Sequence, residues 1–129
     1  MAYEYEFLEV AKRGRLATVT VGNPPINLIT LPLYMELMRL SEELAADSEI
    51  TVVELKSADP DFFLAHFDVE AILSFPTDTA AERSPELNDF HQRCERFRTM
   101  DKVTIAQIEG RVGLQHTLGA GVLQGVVPG

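Results

Sequence analysis

Apolar residues recur along this chain in two periods, and each change of period marks an element. From Tyr3 to Val10, Tyr3, Tyr5 and Phe7 alternate with Glu4 and Glu6. That alternation predicts a strand with one apolar face. Lys12-Arg13-Gly14-Arg15 predicts a turn, with Gly14 free to take positive φ. Leu16 to Val21 predicts the returning strand of a hairpin, with Ala17, Val19 and Val21 set against Thr18 and Thr20. Gly22-Asn23-Pro24-Pro25 ends it, because proline cannot donate to a ladder. The period then lengthens. Leu33, Leu37, Leu40 and Leu44 form one helical stripe, running from an N-cap at Thr30, with Pro32 in the first turn, to about Ala46. Arg39 and Glu43 are spaced for an exposed ion pair. Ile50 to Leu55 predicts a core strand, apolar on both faces as in a sheet covered on both sides.

Lys56 to Asp61 predicts a turn. The stretch Asp61-Phe62-Phe63-Leu64-Ala65-His66-Phe67-Asp68-Val69 then reads as a loop, but one too apolar for a solvated turn. Either the fold or a ligand must cover it. A strand followed by such a loop and a helix is where open α/β sheets bind ligands. Asp68 to Phe75 predicts a short helix, and Pro76 to Arg83 carries no period. Ser84-Pro85-Glu86 predicts a second helix start, with Leu87, Phe90, Cys94 and Phe97 as its buried stripe. His91 falls at the edge of that stripe and reads as a half-exposed surface side chain. Val103 to Ile108 predicts a further strand. From Val112 to Gly129 there is no charged residue and there are five glycines, a pattern that predicts no element.

Composition narrows the function. The 129 residues, 46% hydrophobic and 24% charged, suit one globular unit. A net charge of −9 argues against nucleic acid and anionic membrane as partners. Only Lys12, Arg13 and Arg15 cluster as a possible anion contact, and a solvated turn explains them equally well. No apolar run is long enough to span a bilayer, and the acidic first ten residues do not read as a secretory leader. Cys94 is the single cysteine, which excludes an intrachain disulfide and points to a reducing cytoplasm. His66, His91 and His116 are too scattered for a zinc site. There is no Gly-x-Gly-x-x-Gly after a strand and no Gly-x-Ser-x-Gly elbow.

Three segments, in order, resemble the crotonase (enoyl-CoA hydratase/isomerase) superfamily. Asn23-Pro24-Pro25-Ile26-Asn27-Leu28 resembles its Pro-x-x-Asn-Ala-Leu loop. Phe63-Leu64-Ala65-His66-Phe67-Asp68 stands where members show Phe-x-Ala-Gly-x-Asp, with His66 in place of glycine. Asp101 to Gly110 matches the Lys-Pro-Val-Ile-Ala-type strand that runs into Asn-Gly. The resemblance implies an α/β fold of repeated ββα units, truncated, with residues 1–112 as the crotonase-like core and 113–129 as an atypical tail. It also implies a coenzyme A thioester as substrate or ligand, with no permanently bound cofactor and no metal. Oxyanion stabilisation would come from the Phe67 backbone N–H, with Gln115 as the second donor. Asn27, Leu28, Ala65, His66 and Asp68 would line the thioester site. A homo-oligomer, trimeric in the family, is a further expectation.

The match departs from the family after Gly110. The Gly-Gly-Gly-x-Glu segment is replaced, so that its glycines fall on Leu114, Gln115 and His116 and its carboxylate on Leu118. Gly125-Val126-Val127-Pro128-Gly129 resembles a later Gly-x-x-Pro-Gly segment, which puts the second carboxylate on Gly121. Two functions follow as expectations. One is an acyl-CoA-binding protein of the hydratase/isomerase type, with impaired proton transfer. The other is a non-catalytic fragment or oligomerising interaction module on the same half-fold.

Overall fold

A computed structural model of the chain describes residues 3–74, 85, 89–112 and 125–128. Strands β1 (Leu8–Arg13) and β2 (Leu16–Val21) form the predicted antiparallel hairpin about Gly14, whose φ is +59°. Helix α1 (Leu31–Ala46) follows, then β3 (Val52–Ser57), β4 (Phe62–Leu64), α2 (Val69–Leu73), α3 (Asp89–Thr99), β5 (Val103–Ile108), β6 (Arg111–Val112) and β7 (Gly125–Pro128). One sheet has the order β1-β2-β3-β5-β7, parallel throughout except for the hairpin. A second, two-stranded parallel sheet joins β4 to β6. Successive strands β3 and β4, and then β5 and β6, are thus dealt alternately to the two sheets. This is the repeating α/β arrangement expected from the resemblance.

Helix α1 forms where the stripe places it. The Thr30 side chain accepts from the Leu33 N–H at 3.3 Å, and Pro32 occupies the first turn, where no N–H is needed. Leu33, Leu37, Leu40 and Leu44 are each at most 2% exposed. Burying each contributes roughly 1.5–3 kcal/mol. They pack with Ala17, Val19 and Val21 of β2, Val53 and Leu55 of β3 and Ala106 of β5 in a single core. Arg39 pairs with Glu43 at 3.9 Å, as the spacing predicts. Cys94 and Phe97 of α3 are buried in the same core, whereas His91 is exposed.

Of four expectations, the first, second and fourth are revised and the third falls largely outside the described residues. The strand predicted from Tyr3 begins only at Leu8. Tyr3, Tyr5 and Phe7 do turn one face to the core, but the backbone donors of Glu6 and Phe7 go to the Glu36 carboxylate of α1, at 2.7 and 2.9 Å. Alternation reports which face is buried, not which partner takes the backbone bonds. Second, the apolar loop starts as a strand, β4, which buries Phe63 and Leu64. Third, α3 is described from Asp89, three residues past Glu86; Ser84, Glu86, Leu87 and the Phe90 side chain lie outside the described residues. Fourth, the Gly-rich stretch contributes β7, paired with β5. Strand β3 is buried at Val53 and Leu55 and half-buried on its other face.

The start of the parallel strands is held by charge. Lys12 pairs with Asp47 at 3.0 Å and Glu49 at 2.9 Å, and the Tyr3 hydroxyl donates to Asp47 at 2.5 Å. Lys102 is 6% exposed and its Nζ donates to the carbonyls of Asp47 and Ile50 at 2.8 and 2.9 Å. A cation is well placed there, because the last carbonyls of a helix carry its negative end.

Candidate functional site

At the other end of these strands, the loop after β2 and the loop after β4 zip together. The Ala65 N–H donates to the Asn27 carbonyl at 3.3 Å, Ile29 N–H to the His66 carbonyl at 2.9 Å, and Asp68 N–H to the Ile29 carbonyl at 2.8 Å. Ile29 and Phe67 therefore form a parallel bridge. In such a bridge one residue bonds to both neighbours of its opposite number. Ile29 is the residue that bonds, so Phe67 turns its own N–H and C=O to the other edge of the segment. Among the described residues nothing accepts from the Phe67 N–H. The Phe67 ring anchors the loop by an edge-on contact with Tyr34 of α1, centroids 5.9 Å apart.

Asn27 holds the two loops to the sheet. It is 1% exposed and has a φ of 54°, a left-handed conformation that asparagine tolerates better than most residues. Its Oδ1 accepts from the Asn23 N–H at 2.7 Å, and its Nδ2 donates to Ser57 Oγ at 2.5 Å and to the Phe63 carbonyl at 3.0 Å. Ser57 Oγ in turn donates to the Phe62 carbonyl at 2.6 Å. One buried amide thus joins the ends of β2, β3 and β4. A cavity of about 190 Å³ lies beside it, lined by Gly22, Asn23 and Pro24 on one side and Ala58, Asp59 and Pro60 on the other.

Gly110 supplies the third constraint. Its φ is +77°, and a Cβ there would meet the Asp61 carbonyl carbon and oxygen at 2.3 Å. Only glycine fits, which lets the Arg111 N–H reach the Asp61 carbonyl at 2.9 Å and seats β6 against β4. The Arg111 guanidinium lies over the Phe62 ring, 5.7 Å from its centroid.

The structure brings six of the seven anticipated site residues together. Asn27 and Leu28 stand on one side of the zipper, with Ala65, His66, Phe67 and Asp68 on the other. Asn27 turns its side chain inward, and Asp68 caps α2 by accepting from the Glu70 N–H at 3.0 Å. His66 is exposed and has no positive φ, so histidine in the glycine position is unstrained. Gln115 lies outside the described residues, as do His116, Leu118 and Gly121. Sequence reasoning missed Ser57 and Tyr34. Neither carries a local signal, since each earns its place only when β3 and α1 meet the loops. Among the described residues, no group of three His, Cys, Asp or Glu side chains could hold a metal ion, and no helix is long and apolar enough to cross a membrane.

No protein-family model matches the chain. A curated relative does: EchA13 of Mycobacterium tuberculosis, assigned as an enoyl-CoA hydratase, is 28% identical over 135 aligned positions covering 85% of this chain and 41% of its own. A solved structure of a Streptomyces avermitilis protein, also assigned as an enoyl-CoA hydratase, is 28% identical with a TM-score of 0.76, covering 97% of this chain and 46% of that one. Methylmalonyl-CoA decarboxylase, solved with 2S-carboxypropyl-CoA, shares the fold at a TM-score of 0.73 and 18% identity, over 97% of this chain and 47% of its own. The resemblance to the crotonase superfamily therefore holds in sequence and in fold: this is a crotonase-like α/β chain spanning less than half the length of the relatives it matches.

Proposed function

We propose that the chain binds an acyl-CoA thioester, with the thioester carbonyl oxygen accepting from the Phe67 N–H. The observation that carries this reading is the Ile29–Phe67 bridge, which leaves that N–H on the edge of the segment opposite Ile29, without an acceptor among the described residues. A fixed N–H dipole stabilises the charge that develops on an enolate oxygen at little reorganisation cost. A backbone donor also tolerates any side chain, so a phenylalanine serves. The relatives assigned as enoyl-CoA hydratases support the ligand class. Coenzyme A enters here as part of a transient ligand, as in cytoplasmic acyl-CoA metabolism, and Gln115 is the proposed second donor.

Thermal unfolding with butyryl-CoA tests this. Ligand at 100 times its dissociation constant adds about 2.7 kcal/mol, a readily seen rise in Tm. Phe67→Pro removes the donor while sparing the bonds of Ile29. It should fold and lose most of the ligand shift. A folded Phe67→Pro chain that keeps the full shift overturns the oxyanion assignment.

A second reading rests on α2. None of its residues is buried, and Val69, Ile72 and Leu73 are 54%, 46% and 77% exposed. Such an apolar face suits a chain that oligomerises or serves as an interaction module. Light scattering that shows mass rising with concentration supports this reading, and a monomer at all concentrations removes it.

A further inference from the structure

His66 is exposed, yet its ring is held. Nδ1 lies 2.8 Å from the Phe67 carbonyl oxygen. A carbonyl oxygen only accepts, so in the neutral ring Nδ1 carries the proton and Nε2 carries the lone pair. In an extended residue the N–H and C=O leave the chain on the same edge. Ile29 occupies the opposite edge, through His66 and Asp68. The imidazole, bound to the Phe67 carbonyl, is thus placed on the edge where the Phe67 N–H points. A hydrogen-bond donor for an oxyanion and an imidazole thus stand one residue apart, on the same edge of the segment.

We propose that His66 Nε2 moves the α-proton of the thioester whose carbonyl oxygen the Phe67 N–H holds. This rests on the thioester reading above. The step needs no other reactant. The Nε2 lone pair takes a proton from the carbon next to the carbonyl. The C–H electron pair becomes the enolate double bond, and the carbonyl π pair moves onto the oxygen that faces Phe67. The ring becomes imidazolium, with Nδ1 still donating to the Phe67 carbonyl. Reversal returns a proton, or a deuteron in D₂O, to carbon. The two positions aligned with the family's carboxylates are Leu118 and Gly121, which cannot do this work. The ionisable groups on the surrounding elements are Asp61 ahead of β4, Asp68 and Glu70 at the start of α2, Tyr34, Glu36, Arg39, Glu42 and Glu43 of α1, and Arg111 of β6; the loop from Gly22 to Ile29 carries none.

The experiment is α-proton exchange. The full chain is incubated with butyryl-CoA in D₂O, the α-proton signal is followed by NMR, and binding is measured separately by calorimetry. The expected result is α-proton exchange by the parent chain that is faster at higher pH, because only the free base can take the proton. His66→Ala should lower the rate about 10²–10⁴-fold when the two chains are compared at saturating butyryl-CoA. Added imidazole should restore part of it, which a merely structural role would not allow. His66→Gln, which keeps a polar side chain, should be as slow as His66→Ala. Exchange at the parent rate in either variant overturns the proposal, as does parent chain that binds butyryl-CoA without exchanging it; both leave the thioester site standing. Absence of binding overturns the site and the role of His66 together.

Discussion

The two ends of the parallel strands are fastened by different chemistry. Where β2 and β3 begin, Lys12, Asp47, Glu49, Lys102 and Tyr3 tie the start of the sheet to the end of α1 through charged groups. Where they end, Asn27, Ser57 and a set of backbone carbonyls join the ends of β2, β3 and β4 to one another with neutral groups. The first end is partly open to water, and its strength therefore varies with pH and salt. The second is partly buried and its hydrogen bonds are made by groups that carry no charge. The loop that carries Phe67 and His66 is mounted on this second end.

This difference can be pressed hardest at Gly110. Gly110→Ala adds roughly 1–2 kcal/mol for the left-handed backbone and roughly 1–3 kcal/mol for the clash with Asp61. A loss of about 3 kcal/mol is expected in urea unfolding, and a loss below about 1 kcal/mol would mean the β4–β6 turn is not tight. Asn27→Ala should cost about 3 kcal/mol, because it leaves the Asn23 N–H and the Phe63 carbonyl without their partner. That cost should be the same at pH 5 and pH 8; a pH-dependent cost would break the contrast between the two ends. Lys102→Met should cost about 2 kcal/mol, since two carbonyls lose a charged donor.

The smallest effect carries the most information. The Tyr3 hydroxyl, and after it the Lys12 ammonium, hold the Asp47 carboxyl down at about 2, below its usual value of 3.8. Unfolding lets Asp47 return to that ordinary value, so the unfolded chain binds the extra proton. The contribution is therefore complete above about pH 4 and is lost as pH falls towards 2. Tyr3→Phe should cost about 1 kcal/mol near neutrality, discounted for partial exposure. The gap between the two chains should close as pH falls from about 4 to about 2. A gap that stays constant through that range would show that Asp47 is not the group concerned.

Much of this could be read from the sequence, and the rest could not, for a physical reason. Helix α1 announces itself through a leucine stripe and a Thr30–Pro32 start, both of them local. The hairpin and the strand β5 do so through alternation and composition. The motif from Phe63 to Asp68 marks the site loop. What stayed hidden depends on residues far apart in the chain. Glu36 takes the backbone donors of Glu6 and Phe7, which converts an apparent strand into a tether. Phe62 to Leu64 becomes a strand only because β6 arrives beside it. The Gly-rich composition around Gly125 masks a strand whose partner, β5, supplies the order that its own residues do not. His66 is visible as a residue, but the tautomer that makes it useful is set by the Phe67 carbonyl.

The strand order β1-β2-β3-β5-β7 has a consequence for the ribosome. Each strand of the main sheet docks against the one made just before it within that sheet, and β6 likewise finds β4 already in place. No strand has to wait for a later one to be inserted between earlier neighbours. As the chain emerges from its N-terminus, every new segment meets a completed template, so assembly can keep pace with synthesis. The edge of the newest strand stays open until the next strand of that sheet is made, whereas the outer edge of β1 is covered by none of the described strands.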